Sequence, residues 1–312
     1  MRIIRGLESC PPDARSSVVA LGAFDGVHLA HQKILGLSVD RAREIDAFAL
    51  ACTFDPHPLE VLKPDQAPTP ITTLDERLEL IAGCGIDATV VIPFTPELSR
   101  IEAETFVKEV LLDTLRAREI VVGFNHTFGR GARGDARLLE ALGERLGFVA
   151  HVVAPLMVDG ITVSSSAIRD ALRGGDMQGA RRLLGRPYTI RGSVVRGAGR
   201  GRQLGFPTAN IKPDRPLVLA TGVYGGYARL DDGRRAQSEA GSKCVVNIGY
   251  RPTFGENEYW IEAYLLDFSE DIYDRTLTIS FVARIREERK FPDLEALRTQ
   301  IRADIDRAAR LL

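Results

Sequence analysis

The sequence predicts two units: an α/β unit on a parallel sheet, then a small antiparallel β-barrel with a C-terminal helix. Three observations carry this expectation. Over residues 1–155, short apolar runs alternate with stretches of helical periodicity, the pattern of βαβ units with right-handed crossovers. After Pro187 the rhythm changes to apolar/polar alternation between Gly, Asp and Pro turns, the pattern of antiparallel strands. Residues 293–310 then form one amphipathic stretch. A length of 312 residues suits two domains, and the change of rhythm puts the boundary near residue 186, giving 1–186 and 187–312.

The elements follow in order. "SVVALGAF" (17–24), "FALACTF" (48–54), "ATVVIPF" (88–94), "EIVVGF" (119–124) and "FVAHVVAP" (148–155) are apolar on both faces, as strands covered by helices are. Helical periodicity fills 31–45, 73–83, 97–116 and 135–146. In such a sheet the functional crevice lies at the carboxyl ends of the strands. Three unusual stretches follow strand ends: "DGVHLAH", "DPHP" and "NHTFGRGARGD". "SSSAIRDALRGGDMQGARRLLGRP" (164–187) predicts two short helices stopped by Gly185 and Pro187. "YTIRGSVVR", "GVYGGYARL", "SKCVVNIGY", "EYWIEAYLL" and "TLTISFVARIR" are the predicted barrel strands.

Composition narrows the function. The net charge of −1 supplies no general field for nucleic acid or an anionic membrane. Cys10, Cys52, Cys84 and Cys244 are scattered and form no CxxC pair, which argues against structural zinc or a disulfide framework and for a reduced compartment. No N-terminal apolar stretch reads as a signal peptide, and no run approaches the roughly 18 apolar residues of a membrane span. The expectation is a cytoplasmic monomer or weak homo-oligomer with no nucleic-acid or membrane partner.

All five histidines, His28, His31, His57, His126 and His151, lie in the first half, so the second half has no imidazole for its chemistry. Gly22 and Gly26 permit a tight strand-to-helix turn. His28 and His31, three apart on the helix that follows, share a side beside N-terminal amides that favour an anion. Two imidazoles placed there can donate to phosphate oxygens as charge grows on a departing pyrophosphate. Simple packing is the alternative, and a metal site would need a third ligand that the sequence nearby does not show.

Residues 181–202 hold seven arginines and no acidic residue. They read either as a solvated linker plus a basic loop, or as a mobile phosphate-facing loop built with Gly197, Gly199 and Gly201. Nucleic-acid binding ranks third, since no aromatics are interleaved. "GAGRGRQLGFPTAN" (197–210) is neither a Walker loop nor a GxGxxG fingerprint, and a flexible hairpin is its plain alternative. Within it, Thr208 and Asn210 project to one face of an extended segment, and their oxygens suit Mg²⁺ on nucleotide phosphates. Glu262 sits inside the apolar "YWIEAYLLDF", where an unpaired charge is costly unless used. It is the candidate general base, against the alternative of an outward-pointing barrel residue; Asp267 and Glu258 are weaker candidates.

These motifs carry a resemblance. "GAFDGVHLAH" resembles the HxGH signature of the nucleotidyltransferase superfamily, and "VSSSAIR" (163–169) resembles its ISSTxIR signature. With "TFDPHP" (53–58) and "VVGFNHTFGRGARGD" (121–135), the first unit is similar to the Rossmann-like adenylyltransferase module of bacterial FAD synthetases. "GRQLGFPTAN", "GVYGGYA", "VVNIGYRPTFG", "IEAYLLDF" and the terminal helix resemble riboflavin kinases, so 187–312 looks like a flavokinase barrel. The resemblance implies a bifunctional flavin cofactor enzyme that uses ATP and Mg²⁺ to make FMN from riboflavin and FAD from FMN. It implies that Gly22, Phe24, Asp25, Ser164, Ser165, Ser166 and Arg169 bind ATP beside the catalytic His28 and His31. It further implies that Asn125 lies on the flavin side, that Glu262 is the kinase base, and that Gly197, Gly199, Gly201, Thr208 and Asn210 hold phosphate, the last two with Mg²⁺. Two positions depart from the family: Ala30 replaces the glycine between the histidines, and Ser166 replaces a threonine. Ala30 leaves open a chain in which only the kinase is active and the first unit is a flavin-binding or assembly module. A flavin-sensing protein without turnover is the non-enzyme alternative.

Overall fold

The computed structural model describes residues 1–10, 15–197, 201, 204–231, 241–253 and 256–312, the side chains of 250–253 and 256–259 excepted. Contacts divide the chain into two compact units, Met1–Ser165 and Ser166–Leu312. That division lies upstream of the compositional change near 186.

The first unit is built on a six-stranded sheet. Its strands are β1 (Arg2–Arg5), β2 (Ser17–Leu21), β3 (Phe48–Asp55), β4 (Ala88–Pro93), β5 (Ala117–Gly123) and β6 (Val149–Val153), in the order β1-β4-β3-β2-β5-β6. Every pairing is parallel. The chain builds outward from β2 through β3 to β4, then returns to place β5 on the other side of β2. The switch point therefore lies between β2 and β5, and a ligand crevice is expected outside their carboxyl ends. Val18, Ala20, Ala49, Ala51 and Val121 face one hydrophobic core, while Val19, Leu21, Cys52, Val90 and Ile120 face the other. Burial on both faces is why these strands read as unbroken apolar runs.

The main helices of this unit are α1 (Leu29–Glu44), α2 (Pro58–Leu62), α3 (Leu74–Gly83), α4 (Ala103–Thr105) and α5 (Ala136–Leu146). Two features depart from expectation. β1, in the short "RIIR", adds an edge strand beside β4. The predicted helix 97–116 is instead a 3₁₀ turn at Leu98–Arg100, a break, and α4 running into a π-helical stretch at Phe106–Thr114. At the break the Ile101 carbonyl accepts from the Arg130 amide at 2.7 Å. A Cβ on Gly129 would lie 2.5 Å from the Ala103 Cα, so this loop presses directly against the helix start. After β6 comes a small hairpin, β7 (Met157–Val158) with β8 (Ile161–Thr162).

The chain continues through α6 (Ser165–Gly174) and α7 (Met177–Leu184), ended by Gly185 in the left-handed region at φ 75°. The second unit then closes a barrel from β9 (Tyr188–Val195), β10 (Ala209–Pro213), β11 (Gly222–Leu230), β12 (Ser242–Thr253), β13 (Glu256–Leu265) and β14 (Thr276–Arg286). The order is β10-β13-β12-β11-β14-β9 and all pairings are antiparallel. Closure removes exposed edges. Ile190, Tyr224, Val246, Ile248, Ile261, Ala263, Ile279 and Phe281 are buried. The C-terminal helix (Leu294–Leu311) covers an outer cluster of Val223, Val245 and Ile285 through Ala308 and Ile305. Arg286 clamps it by a two-pronged ion pair to the buried Asp304, at 2.9 Å.

Candidate functional site

The turn between β2 and α1 is held in an uncommon backbone conformation. Phe24, Gly26 and Val27 all have positive φ, at 52°, 81° and 37°. For phenylalanine and a β-branched valine this is strained, and it persists only where surroundings over-determine it. The surroundings do so here. The buried Asp25 carboxylate accepts from the amides of Ile71 and Thr72 and from the Thr72 hydroxyl, at 3.0–3.1 Å. The Gly26 amide donates to the same hydroxyl at 3.1 Å. The Ala23 carbonyl accepts from Thr53 at 3.0 Å and from the guanidinium of Arg77 at 2.8 Å. A side chain on Gly26 would meet Ile71 at 3.1 Å.

This turn delivers the two histidines. His28 caps α1, its Nδ1 accepting from the His31 amide at 3.3 Å. A neutral His28 accepting there carries its proton on Nε2. The two rings stack with centroids 3.5 Å apart and planes 17° from parallel. Phe24, fully buried, sets its ring edge-on to His31 at 5.3 Å. Burial, then the nearby His28 and Arg77, push the His31 pKa well below the ordinary histidine value. His31 is thus a neutral imidazole, and its Nδ1 is buried without a hydrogen-bond partner.

The second motif meets the first. Ser165 opens α6, and its hydroxyl donates to the Asp25 carbonyl at 3.0 Å. Ser164, just before the helix, is half-buried; on the helix Ser166 is exposed and Arg169 buried. Asn125 lies just past the end of β5 and is exposed, as is Phe124. In "DPHP", His57 caps α2 through a reciprocal capping box with Glu60.

Three residues that sequence reading passed over shape this site. Arg77, on α3, is buried, bridges Ala23 and Phe54 carbonyls, and loses part of its usual basicity to desolvation. Its signal was a charge on the apolar side of α3, beside Leu78 and Ile81. Thr72 sits in a loop and left no signal. His126, beside Asn125, buries an unpartnered Nε2 and has its pKa pushed down to about 4 by desolvation.

In the second unit, Asn210 is buried, and its Oδ1 has no hydrogen-bond partner among the described residues. Gly197 lies directly on it: a Cβ there would sit 2.1 Å from the Asn210 amide nitrogen. A Cβ on Gly201 would likewise come 2.8 Å from the Thr208 hydroxyl. The glycines at these two positions let main chain rest on the Thr208 and Asn210 side chains. Gly199 and the side chain of Glu258 lie outside the described residues. Glu262 is half-buried and in register with Asn210 across β13 and β10. Its neighbours Ile261 and Ala263 fill the barrel, so Glu262 stands on the outer face. Asp267 is exposed at φ 54°, past the end of β13. Among the described residues no cluster of His, Cys, Asp and Glu could hold a metal.

Comparison with known proteins agrees with this geometry. A family profile described as FAD synthetase matches residues 10–167, and one described as riboflavin kinase matches 184–312. The chain is 39% identical over its full length to the bifunctional riboflavin kinase/FMN adenylyltransferase of Pseudomonas fluorescens, covering 98% of that protein. It is 36% identical to the Bacillus subtilis enzyme of that name, over 94% of this chain and 92% of that one. The Escherichia coli K12 enzyme shares 33% identity, over 97% and 96%. A crystal structure named as a macrolide-efflux protein from Streptococcus pneumoniae superposes with a TM-score of 0.87 at 28% identity, covering 99% of both chains. Among the described residues, no helix here is long and apolar enough to cross a membrane. With both profiles in order and full-length relatives of one name, the chain belongs to the bifunctional riboflavin kinase/FMN adenylyltransferase family.

Proposed function

We propose that the two activities of this family, riboflavin phosphorylation and FMN adenylylation, run at two separate sites, the first around Glu262 and the second around His28 and His31. The observation that carries this assignment is the pinned turn at 22–28, which aims two stacked imidazoles at a helix N-terminus at the sheet's switch point.

In adenylyl transfer the phosphate oxygen of FMN forms a bond to the α-phosphorus of ATP while the bond to pyrophosphate breaks. That oxygen is already anionic at neutral pH, so the step needs positioning and charge stabilisation rather than a base. His28, through Nε2–H, and the neutral His31 donate to the phosphate as charge grows on the leaving group. Ser164, Ser166 and Arg169 hold the triphosphate, with Ser165 tying the start of α6 to the turn. Phe24 and Asp25 are buried and act by supporting the imidazoles and the backbone. Asn125 lines the flavin side. We assign residues 1–186 to this function and 187–312 to the kinase.

In the kinase, Glu262 takes the proton of the riboflavin 5′-hydroxyl as its oxygen bonds to the γ-phosphorus and ADP departs. The buried Oδ1 of Asn210, unpartnered among the described residues, and the Thr208 hydroxyl two positions before it fit Mg²⁺, a hard cation that prefers oxygen ligands and nucleotide phosphates. Mg²⁺ bound there would neutralise charge on the transferring phosphoryl group. Gly197, Gly199 and Gly201 let the loop main chain approach the phosphates.

The proposed setting is the cytoplasm, as a monomer or weak homo-oligomer without nucleic-acid or membrane partners. The net charge of −1 and four free cysteines support it. Chromatography of products from riboflavin, ATP and Mg²⁺ tests the functional reading. FAD is expected; FMN alone would mark the first unit as inactive, and neither product would point to a flavin-sensing protein.

A further inference from the structure

The C-terminal helix (Leu294–Leu311) reaches the loop before β10, a contact that has no role so far. Arg298 donates from its Nε to the Leu204 carbonyl at 3.2 Å, across 94 positions of sequence. Leu204 belongs to "LGFPTAN", and its own amide is already used. It donates to the Gly201 carbonyl at 3.1 Å, and that carbonyl also accepts from the Phe206 amide at 2.8 Å. Gly205, between Leu204 and Phe206, has φ 85°, a left-handed conformation that favours glycine. The turn thus pairs its amides internally, and the Leu204 carbonyl takes its donor from the helix.

The two ends of this contact are held differently. The helix is a fixed support: Arg286 pairs with its buried Asp304 at 2.9 Å, and the Tyr227 hydroxyl donates to the Leu312 carbonyl at 2.6 Å. Arg298 lies two turns before Ile305, which packs on the barrel, so both stand on the helix face turned to the barrel. The turn is held to the barrel by the Phe206 ring, edge-on to Tyr264 of β13 at 5.9 Å. A Cβ on Gly201 would come 2.8 Å from the Thr208 hydroxyl, so this turn lies directly on a proposed phosphate ligand. The other partner of Arg298 is Glu295 at 3.8 Å, whose carboxylate is exposed. An ion pair that open to water contributes little.

We infer that Arg298 is a positioning residue for the ATP subsite of the kinase: its hydrogen bond to Leu204 fixes the turn closed on Gly201, so that Thr208 and the main chain beside it meet the phosphates already in place. This rests on the reading of that loop as the phosphate subsite. A segment held before binding spares the nucleotide the cost of ordering it. ATP affinity gains, while the transfer step does not, because ground state and transition state meet the same loop.

The test uses the full-length chain and measures kcat and the KM values for ATP and riboflavin in phosphorylation, with FMN adenylylation as the check on folding. Arg298→Met removes the donor and keeps most of the length. It should raise the ATP KM about threefold to tenfold, the range of one hydrogen bond, with kcat and the riboflavin KM unchanged. Arg298→Gln carries an amide nitrogen as far along the side chain as the arginine Nε, so it should keep the original ATP KM although the charge is gone. Glu295→Gln should leave all three constants unchanged. An unchanged ATP KM in Arg298→Met, an equal rise in Arg298→Gln, or the same rise in Glu295→Gln overturns the role. Thr208→Ala separates this from the underlying reading. If it leaves the ATP KM unchanged, the loop is not the phosphate subsite and the inference falls with it. If it raises that KM while Arg298→Met does not, Arg298 alone loses its role. Should Arg298→Met fail to fold, Arg298→Ala, with the best helix former, takes its place.

Discussion

The hydroxyl of Ser165 donates to the main-chain carbonyl of Asp25 at 3.0 Å, joining two motifs 140 positions apart. Asp25 is in turn locked by its carboxylate to Ile71 and Thr72. One strained turn is thus tied to both the 71–72 loop and the first residue of α6. Ser165→Ala removes a single hydrogen bond, worth about 0.5–1.5 kcal/mol. It should raise the ATP KM of FMN adenylylation several-fold and leave riboflavin phosphorylation unchanged; steady-state assays of the two reactions check this.

Single substitutions should separate the two activities. Glu262→Gln keeps shape and removes the base, so phosphorylation should fall by roughly 10²-fold or more while adenylylation persists. His28→Ala should do the reverse, and FMN should then accumulate from riboflavin without FAD. Loss of both reactions in a folded Glu262→Gln protein would mean one shared site.

Arg77→Met keeps much of the side-chain volume but leaves the Ala23 carbonyl with fewer donors and Asp25 without a nearby cation. The expected cost is about 1–3 kcal/mol, the penalty of an unsatisfied buried group. Thermal unfolding should shift to lower temperature, and adenylylation should fall more than phosphorylation. Equal losses of both activities would show that Arg77 does not act through the turn.

His126 gives a pH signature. Its folded pKa, about 4, lies below the ordinary value of 6.5. As pH falls below 6.5, the unfolded chain takes up a proton that the folded form excludes. Stability from this group is therefore lost between about 6.5 and 4. His126→Phe removes the buried unpartnered nitrogen, so denaturation midpoints should depend less steeply on pH across that window. His31, also held neutral by burial, keeps its own share in both proteins, so the difference between them is the measurement.

Ala30 occupies the second residue of α1 and is half-buried. Alanine suits helical φ/ψ, so restoring the family glycine should change ATP affinity by less than tenfold, or under about 1.4 kcal/mol. A larger gain by titration calorimetry would show that the native first site is impaired.

The sequence by itself determined the two-part architecture. Strands buried on both faces must be apolar throughout, and half-exposed barrel strands must alternate, so the change of rhythm after Pro187 was legible. The histidine pair was legible for a related reason: a strand end, a glycine and a helix start are local signals. Tertiary structure decided what depends on distant partners. The helix expected over 97–116 breaks at Ile101 because the Arg130 amide takes its carbonyl. Nothing local announces that bond. Phe24 and Asp25 read as ligand contacts from their motif; only the fold shows that both are buried, Phe24 edge-on to the His31 ring and Asp25 bonded to the 71–72 loop. Asn210 and Glu262, 52 positions apart, came side by side only when β10 paired with β13. Strand register is a property of paired backbones far apart in sequence, fixed by the burial of one face, and no single segment encodes it.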